Sequence, residues 1–202
     1  MDLTRFEGLR RGPRPNLSDC WDAAISVFNF LLIGKIALED TAFITLPDTN
    51  IRVLACPKEL DFHDRQSILL PKSISPLEAW RIVMSRPSVV LKVAFKVRDV
   101  ISGLFDVKLI GGFSSDTPNS VLVGQKLDFF LVEYTSEDVL TLSERDRHLD
   151  VLTCISRVEN ELTITSSVQT HNGFGRVYMM PVGPAHRWIV RLFLRRIHKE
   201  LA

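Results

Sequence analysis

The spacing of apolar and polar positions changes its period twice along this chain. Ser75-Pro76-Leu77-Glu78 reads as a helix start, because Ser75 can cap, Pro76 suits the first helical position and Glu78 can close a capping box. It predicts a short helix over 76–85 that Arg86-Pro87-Ser88 ends. From Val89 to Ser102 the polar residues Lys92, Lys96 and Asp99 share one helical face, predicting a second helix closed by Gly103. Alternation then takes over. Phe105 to Phe113, Lys126 to Tyr134, Val139 to Leu142, His148 to Val158 and Glu161 to Thr170 are rich in β-branched and aromatic residues and separated by polar or glycine turns, which predicts antiparallel strands. The helical period returns at Pro184. Ala185, Trp188, Ile189, Leu192, Phe193, Ile197 and Leu201 fall on one side and Arg187, Arg191, Arg195, His198 and Lys199 on another, giving a closing amphipathic helix of about 17 residues. Together these elements predict an α+β fold in which a curved antiparallel sheet wraps the long C-terminal helix. A cavity between the concave sheet and that helix would be a natural place for a small apolar ligand.

The last two strands meet at Glu159-Asn160, and a two-residue loop there pairs Val158 with Glu161. That register puts Leu149, Val151, Thr153, Ile155 and Arg157 opposite Thr170, Val168, Ser166, Ile164 and Leu162 on a mostly apolar face. The other face carries His148, Asp150, Leu152, Cys154 and Ser156 opposite His171, Gln169, Ser167, Thr165 and Thr163, and is expected to meet solvent. A one-residue slip would mix the two sets, so the separation supports the register. It divides the charged stretch Ser143 to Asp150: Glu144 to Arg147 become a solvated loop and strand entrance, while His148 and Asp150 join Gln169, His171 and the adjacent Asn172 in a polar cluster. Two histidines and one carboxylate form a recognisable metal-ligand set, but the spacing fixes no distances and a solvated strand end is the plainer reading, so no metal or other cofactor is expected.

Composition narrows the classes. In 202 residues, 25 basic against 24 acidic side chains leave a net charge of +1, too balanced for a protein built on nucleic-acid electrostatics. Cys20, Cys56 and Cys154 show no metal-binding or disulfide-framework spacing, which favours a reducing, cytoplasmic setting. The turn at Pro47-Asp48-Thr49-Asn50 suggests an N-terminal extension over 1–50 and a main domain over 51–202. Residues 1–16 hold four arginines and precede an apolar run, Ala23 to Leu38. Asp19, Asp22 and the lack of an A-x-A site fit a signal peptide poorly, and Lys35 interrupts a membrane span, so the run is read as a buried or partner-covering helix.

Three later motifs, Arg147-His148-Leu149-Asp150, His171-Asn172-x-x-Gly175-Arg176-x-Tyr178 and Pro184-x-His186-Arg187-x-Ile189-Val190, resemble the signature of an uncharacterised, mainly bacterial domain family. That family of unknown function is grouped with the START-like polyketide cyclase and lipid-transport (SRPBCC) superfamily. Asp61-Phe62-His63-Asp64 and the turn at Arg86-Pro87 resemble its front half, so the likeness runs from about Ile51 to Ile197. Some relatives carry the domain behind an NAD-dependent epimerase-like domain, whose glycine-rich loop this sequence lacks. The resemblance implies a helix-grip fold with a hydrophobic pocket. The family usually continues as a long helix after the His-Asn pair, whereas Pro181, Gly183 and Pro184 are expected to break it here.

Three functional classes follow. The leading one is a small hydrophobic or amphipathic ligand held between sheet and helix, with Tyr178, His186, Arg176 and Trp188 as candidate binding residues. Its rival is a cyclase- or hydrolase-type enzyme using His148, His171 or His186 as general base, since an imidazole titrates near neutrality. The third is a membrane-surface or protein-interaction module using the basic face of the last helix. The sequence does not specify the ligand or the oligomeric state.

Overall fold

A computed structural model describes residues 43–85 and 118–202. The expected apolar run Ala23 to Leu38, the helix over Val89 to Ser102 and the strand over Phe105 to Phe113 lie outside the described residues. Short strands β1 (Ile44–Thr45) and β2 (Arg52–Val53) pair with each other. A six-stranded antiparallel sheet follows, from β3 (Phe62–Leu69), β4 (Lys126–Leu127), β5 (Phe130–Thr135), β6 (Val139–Arg145), β7 (Leu149–Val158) and β8 (Glu161–Thr170), in the order β3-β8-β7-β6-β5-β4. Helix α1 (Pro76–Met84) follows β3, and α2 (Gly173–Leu201) packs against the concave face. This is the α+β arrangement that the patterning predicts, and it is consistent with the helix-grip fold that the resemblance implies.

Local chemistry explains most boundaries. Ser75 Oγ accepts from Glu78 N at 3.2 Å, so the expected cap starts α1, and Ser85 ends it. Asp128 takes a left-handed conformation at φ 56°, which splits the single strand expected over Lys126 to Tyr134 into β4 and β5. The β7–β8 hairpin has the expected register from Leu149↔Thr170 to Val158↔Glu161, with Glu159 at φ 53° in its two-residue turn.

Strand β3 completes the sheet by pairing Phe62↔Val168 through Leu69↔Glu161. Its sequence gives no strong strand signal because polar Asp64 and Gln66 alternate with His63 and Arg65. They work as anchors for α2. Gln66 Nε2 donates to Asp64 Oδ2 at 2.7 Å and to the Arg187 carbonyl at 2.9 Å, while Arg187 lies 3.5 Å from Asp64 and over the Phe62 ring. At the strand entrance Asp61 accepts the Thr170 N–H at 2.7 Å, and that bond holds its carboxyl below the ordinary value.

The main core joins Trp80, Val83 and Met84 of α1 to Leu140, Leu142, Ile155 and Ile164 of the sheet and to Val190, Leu194 and Ile197 of α2. Trp80 meets Phe130 edge-on at 5.7 Å. Arg196 reaches across to donate to the Val83 carbonyl. A second cluster, Phe62, Leu149 and Val168, packs under the first half of α2 with Tyr178 and Met179.

The outer sheet face corrects the expectation of a solvated surface. Leu152, Cys154, Thr165 and Ser167 are fully buried beneath residues 43–54. The polar groups there take the place of water: Cys154 Sγ accepts from Arg52 N at 3.3 Å and Ser167 Oγ accepts from Leu54 N at 3.1 Å. The Arg52 guanidinium lies 3.5 Å from the Tyr134 ring centroid and 5.4 Å from that of Phe43. Burial pushes the Cys154 thiol up and the His63 imidazole down from their ordinary values. The turn at Pro47 to Asn50 is the tip of this covering hairpin, and Asn50 Nδ2 donates to the Arg157 carbonyl. Cys56 is disulfide-bonded and Cys154 is free, a correction to the reading of three unbridged thiols.

The expected break in the last helix is also absent. α2 runs unbroken from Asn172, whose Oδ1 accepts from Gly175 N at 3.1 Å, through Pro181 and Pro184 to Leu201. A proline deprives the carbonyl four residues earlier of its partner. Those carbonyls belong to Val177 and Met180, both largely exposed, where water can satisfy them. Gly183 lies against Phe62, where an added Cβ would come within 3.0 Å of the ring.

Candidate functional site

Between the concave sheet and α2 lies a cavity of about 530 Å³. Parity along the strands decides what faces it. Leu149, Val151, Thr153 and Ile155 of β7 and Ile164, Ser166 and Val168 of β8 form its floor, as the hairpin register requires. Phe62 of β3 and Ala79, Trp80, Val83 and Met84 of α1 close its sides. The roof is one stripe of α2, from Phe174 and Tyr178 through Val182 and His186 to Ile189, Phe193 and Ile197, spaced so that each turn presents one side chain.

Few polar groups interrupt this lining. Thr153 and Ser166 are directly cross-strand and their hydroxyls meet at 3.2 Å, so the two polar atoms on the floor satisfy each other. Glu144 and Asp146 reach the cavity from the end of β6 and its turn. This corrects the reading of Glu144 to Arg147 as a solvated loop, because Glu144 pairs with Val151 in the sheet and shares its inward face. Asp146 Oδ1 accepts the N–H groups of His148 and Leu149 at 2.7 and 2.9 Å and so fixes the β6–β7 turn. Outside, Glu133 accepts from Ser143 Oγ at 2.6 Å and from Arg145 at 3.3 Å.

The cross-strand histidines separate. Their backbones do oppose each other, with His171 N–H donating to the His148 carbonyl at 2.7 Å. Strand β7 begins one residue after His148, however, so strict alternation does not govern that side chain. It lines the cavity, 4.6 Å from the Phe174 ring. Arg147 Nε donates to its Nε2 at 3.0 Å, and its Nδ1 lies against the Asn172 amide, 3.0 Å from Nδ2 and 3.2 Å from Oδ1. Asn172 Nδ2 donates to the Arg147 carbonyl, so one residue caps α2 and orients His148. His171 instead pairs with Asp150 at 3.1 Å and is exposed. Among the described residues no three His, Cys, Asp or Glu side chains converge as a metal-binding group would require.

His186 is the deepest polar group of the roof. Its ring meets Phe62 edge-on at 5.7 Å, and burial holds the imidazole below its ordinary value of 6.5. Its Nδ1 is closed off from water with no hydrogen-bond partner. Tyr178 also lines the cavity and stacks on Phe174 at 6.2 Å. The other two binding candidates do not join them. Arg176 is exposed beside Asp61, and Trp188, half exposed, points away from the roof with Met180 and Pro184. Gln169 and Asp150 stay on the far side of the sheet from the cavity floor. Phe62, Glu144, Asp146 and Phe174 are lining residues the sequence reading did not select. For Phe174 a signal existed in its four-residue spacing from Tyr178.

The His148, Asn172, Tyr178 and His186 motifs thus meet around one cavity end and its roof. A profile of the family described as "Protein of unknown function (DUF2867)" matches residues 56–193. The chain belongs to this family. The match includes the sheet from β3 to β8 and most of α2, so the DUF2867 region holds nearly the whole cavity lining. No curated protein and no solved structure matches the chain. No helix among the described residues is long and apolar enough to cross a membrane.

Proposed function

We propose that this DUF2867 domain binds a small hydrophobic or amphipathic ligand in the cavity between the sheet and α2. The cavity itself carries the reading: about 530 Å³ enclosed by aromatic and aliphatic side chains with a few polar groups, a form typical of small-molecule sites. Its size equals roughly 18 water volumes at ~30 Å³ each, room for a ligand of comparable heavy-atom count. The likeness to the START-like superfamily, which holds lipids and polyketides in the same place, supports it as analogy. Of the three candidate bases, His148 has both ring nitrogens engaged and His171 lies outside, so an enzymatic role would fall to His186. A cytoplasmic location keeps no support from the cysteines, because disulfides are rare there.

Titration with Nile red, an uncharged solvatochromic dye, tests this directly. The intact protein is expected to brighten and blue-shift the dye saturably. Val151→Phe, which puts a larger side chain on the floor, is expected to weaken uptake at least about tenfold with an unchanged circular dichroism spectrum. No saturable uptake, together with no lipid in native mass spectra of the purified protein, would sink the proposal.

A further inference from the structure

Resting on that ligand-binding reading, we infer that the cavity selects an uncharged amphiphile, such as a long-chain or terpenoid alcohol or ketone, whose polar group hydrogen-bonds the His186 imidazole, and that it rejects the corresponding carboxylates. Three independent features of the lining argue for this class.

Among the described residues, both charged side chains on the cavity wall are acidic. Glu144 and Asp146 reach it, and no lysine or arginine lines it among the described residues. Arg187, the nearest arginine in sequence to His186, turns away to Asp64 and the Phe62 ring. A carboxylate ligand would therefore lose its hydration, gain no cationic partner among the described lining residues and face the Asp146 carboxylate. Its buried charge would stay uncompensated.

His186 fits an uncharged group. A neutral imidazole offers one donor and one acceptor, matching a hydroxyl in either direction or a carbonyl as acceptor. Burial favours that neutral form. Since Nδ1 is shut off from water, Nε2 is the nitrogen a ligand can reach. Nε2 has no hydrogen-bond partner among the described residues, so a ligand or water in the cavity is what can complete it.

Among the described lining residues Trp80 Nε1 is the other buried polar atom without a partner, a donor on the α1 side of the cavity. Thr153 and Ser166 are occupied with each other, and His148 is held by Arg147 and Asn172. From His186 the roof continues over Ile189 and Phe193, a lane for an apolar tail. The ligand's one polar group sits at His186 and its chain runs beneath the second half of α2.

Displacement of Nile red from the intact protein at about pH 8, where carboxylic acids are ionised, reads the selectivity. Dodecanol is expected to displace the dye at least about tenfold more tightly than dodecanoate. His186→Leu should keep dye uptake but lose most of that preference, whereas His186→Gln, which retains a donor and an acceptor, should recover part of it. Dodecanoate binding as well as dodecanol, or His186→Leu binding dodecanol like the unaltered protein, overturns the selectivity while leaving the cavity reading intact. Absence of dye uptake overturns both.

Discussion

Three glycines of α2 experience different surroundings, and alanine at each should therefore have a different consequence. A Cβ at Gly173 meets nothing within 4 Å, one at Gly183 comes 3.0 Å from the Phe62 ring, and one at Gly175 is driven closer than 3.0 Å to the His148 carbonyl oxygen and 3.1 Å from Thr170 Cβ. Helix propensity favours alanine over glycine by up to about 1 kcal/mol at each. Gly173→Ala should be neutral or stabilising by that amount. At Gly183 the ring can tilt by a few tenths of an ångström, and this cost roughly cancels the gain. At Gly175 the obstacle is backbone, and the carbonyl it hits is the acceptor of the His171 N–H at 2.7 Å. Overpacking of about 3 kcal/mol, with a weakened hydrogen bond of ~1 kcal/mol, outweighs the propensity gain and leaves a loss of about 2–3 kcal/mol. For a chain of this size that lowers Tm by roughly 5–10 °C. Thermal unfolding of the three variants by circular dichroism reads the order directly. A Gly175→Ala protein as stable as Gly173→Ala would refute the close approach of α2 to the β6–β7 turn, and with it the placement of His148 at the cavity.

Other consequences are equally accessible. Asn172→Ala should cost about 1 kcal/mol as a lost cap, and in NMR it should shift the His148 ring resonances while leaving those of His171 unmoved. Thiol labelling with peptide mapping should leave Cys154 unlabelled in the native protein and label it once the chain is unfolded; labelling of native Cys154 would contradict its burial. His63 and His186 have folded values below their ordinary 6.5, so the unfolded chain binds more protons below that pH and stability should be full above it and fall on acidification. Urea midpoints between about pH 7.5 and about pH 5 should decline, and His186→Gln should flatten the decline; a midpoint that rises toward acid would oppose the burial of both rings.

What the sequence makes legible follows from how local each determinant is. The β7–β8 register rests on a two-residue turn, so parity carries the floor residues Val151, Thr153, Ile164 and Ser166 to the cavity without further information. The same rule misplaces His148, because Asp146 ties its N–H into the turn and the strand starts after it. The polar outer face looks like a solvated one because hydroxyls and a thiol serve equally well as acceptors for water or for another segment's backbone. Here Arg52 and Leu54 supply that backbone, from over a hundred residues away, through strands only two residues long. Strand β3 hides for a related reason: Asp64 and Gln66 read as surface residues, yet their partners are Arg187 side chain and main chain. The stripe of α2 that faces inward was offset in the sequence reading, which took Trp188 as inward and omitted the fully buried Leu194 and Val190. Amphipathic spacing gives the width of such a stripe, but arginines that lie over apolar surface blur its edges.

The prolines of α2 give the cavity roof a built-in weak joint. Four backbone rungs would span the junction between Met180 and Pro181 in an ordinary helix, and the prolines at 181 and 184 delete two of them. Opening the first half of α2 as a unit therefore breaks fewer bonds than opening any comparable length of intact helix. The joint lies over the cavity, since Pro181, Val182 and Ala185 line it, while the second half stays fixed by the buried Val190, Leu194 and Ile197. Strain at that joint would fall on the half that carries Phe174 and Tyr178, on the far side of the missing rungs from the anchored His186 end.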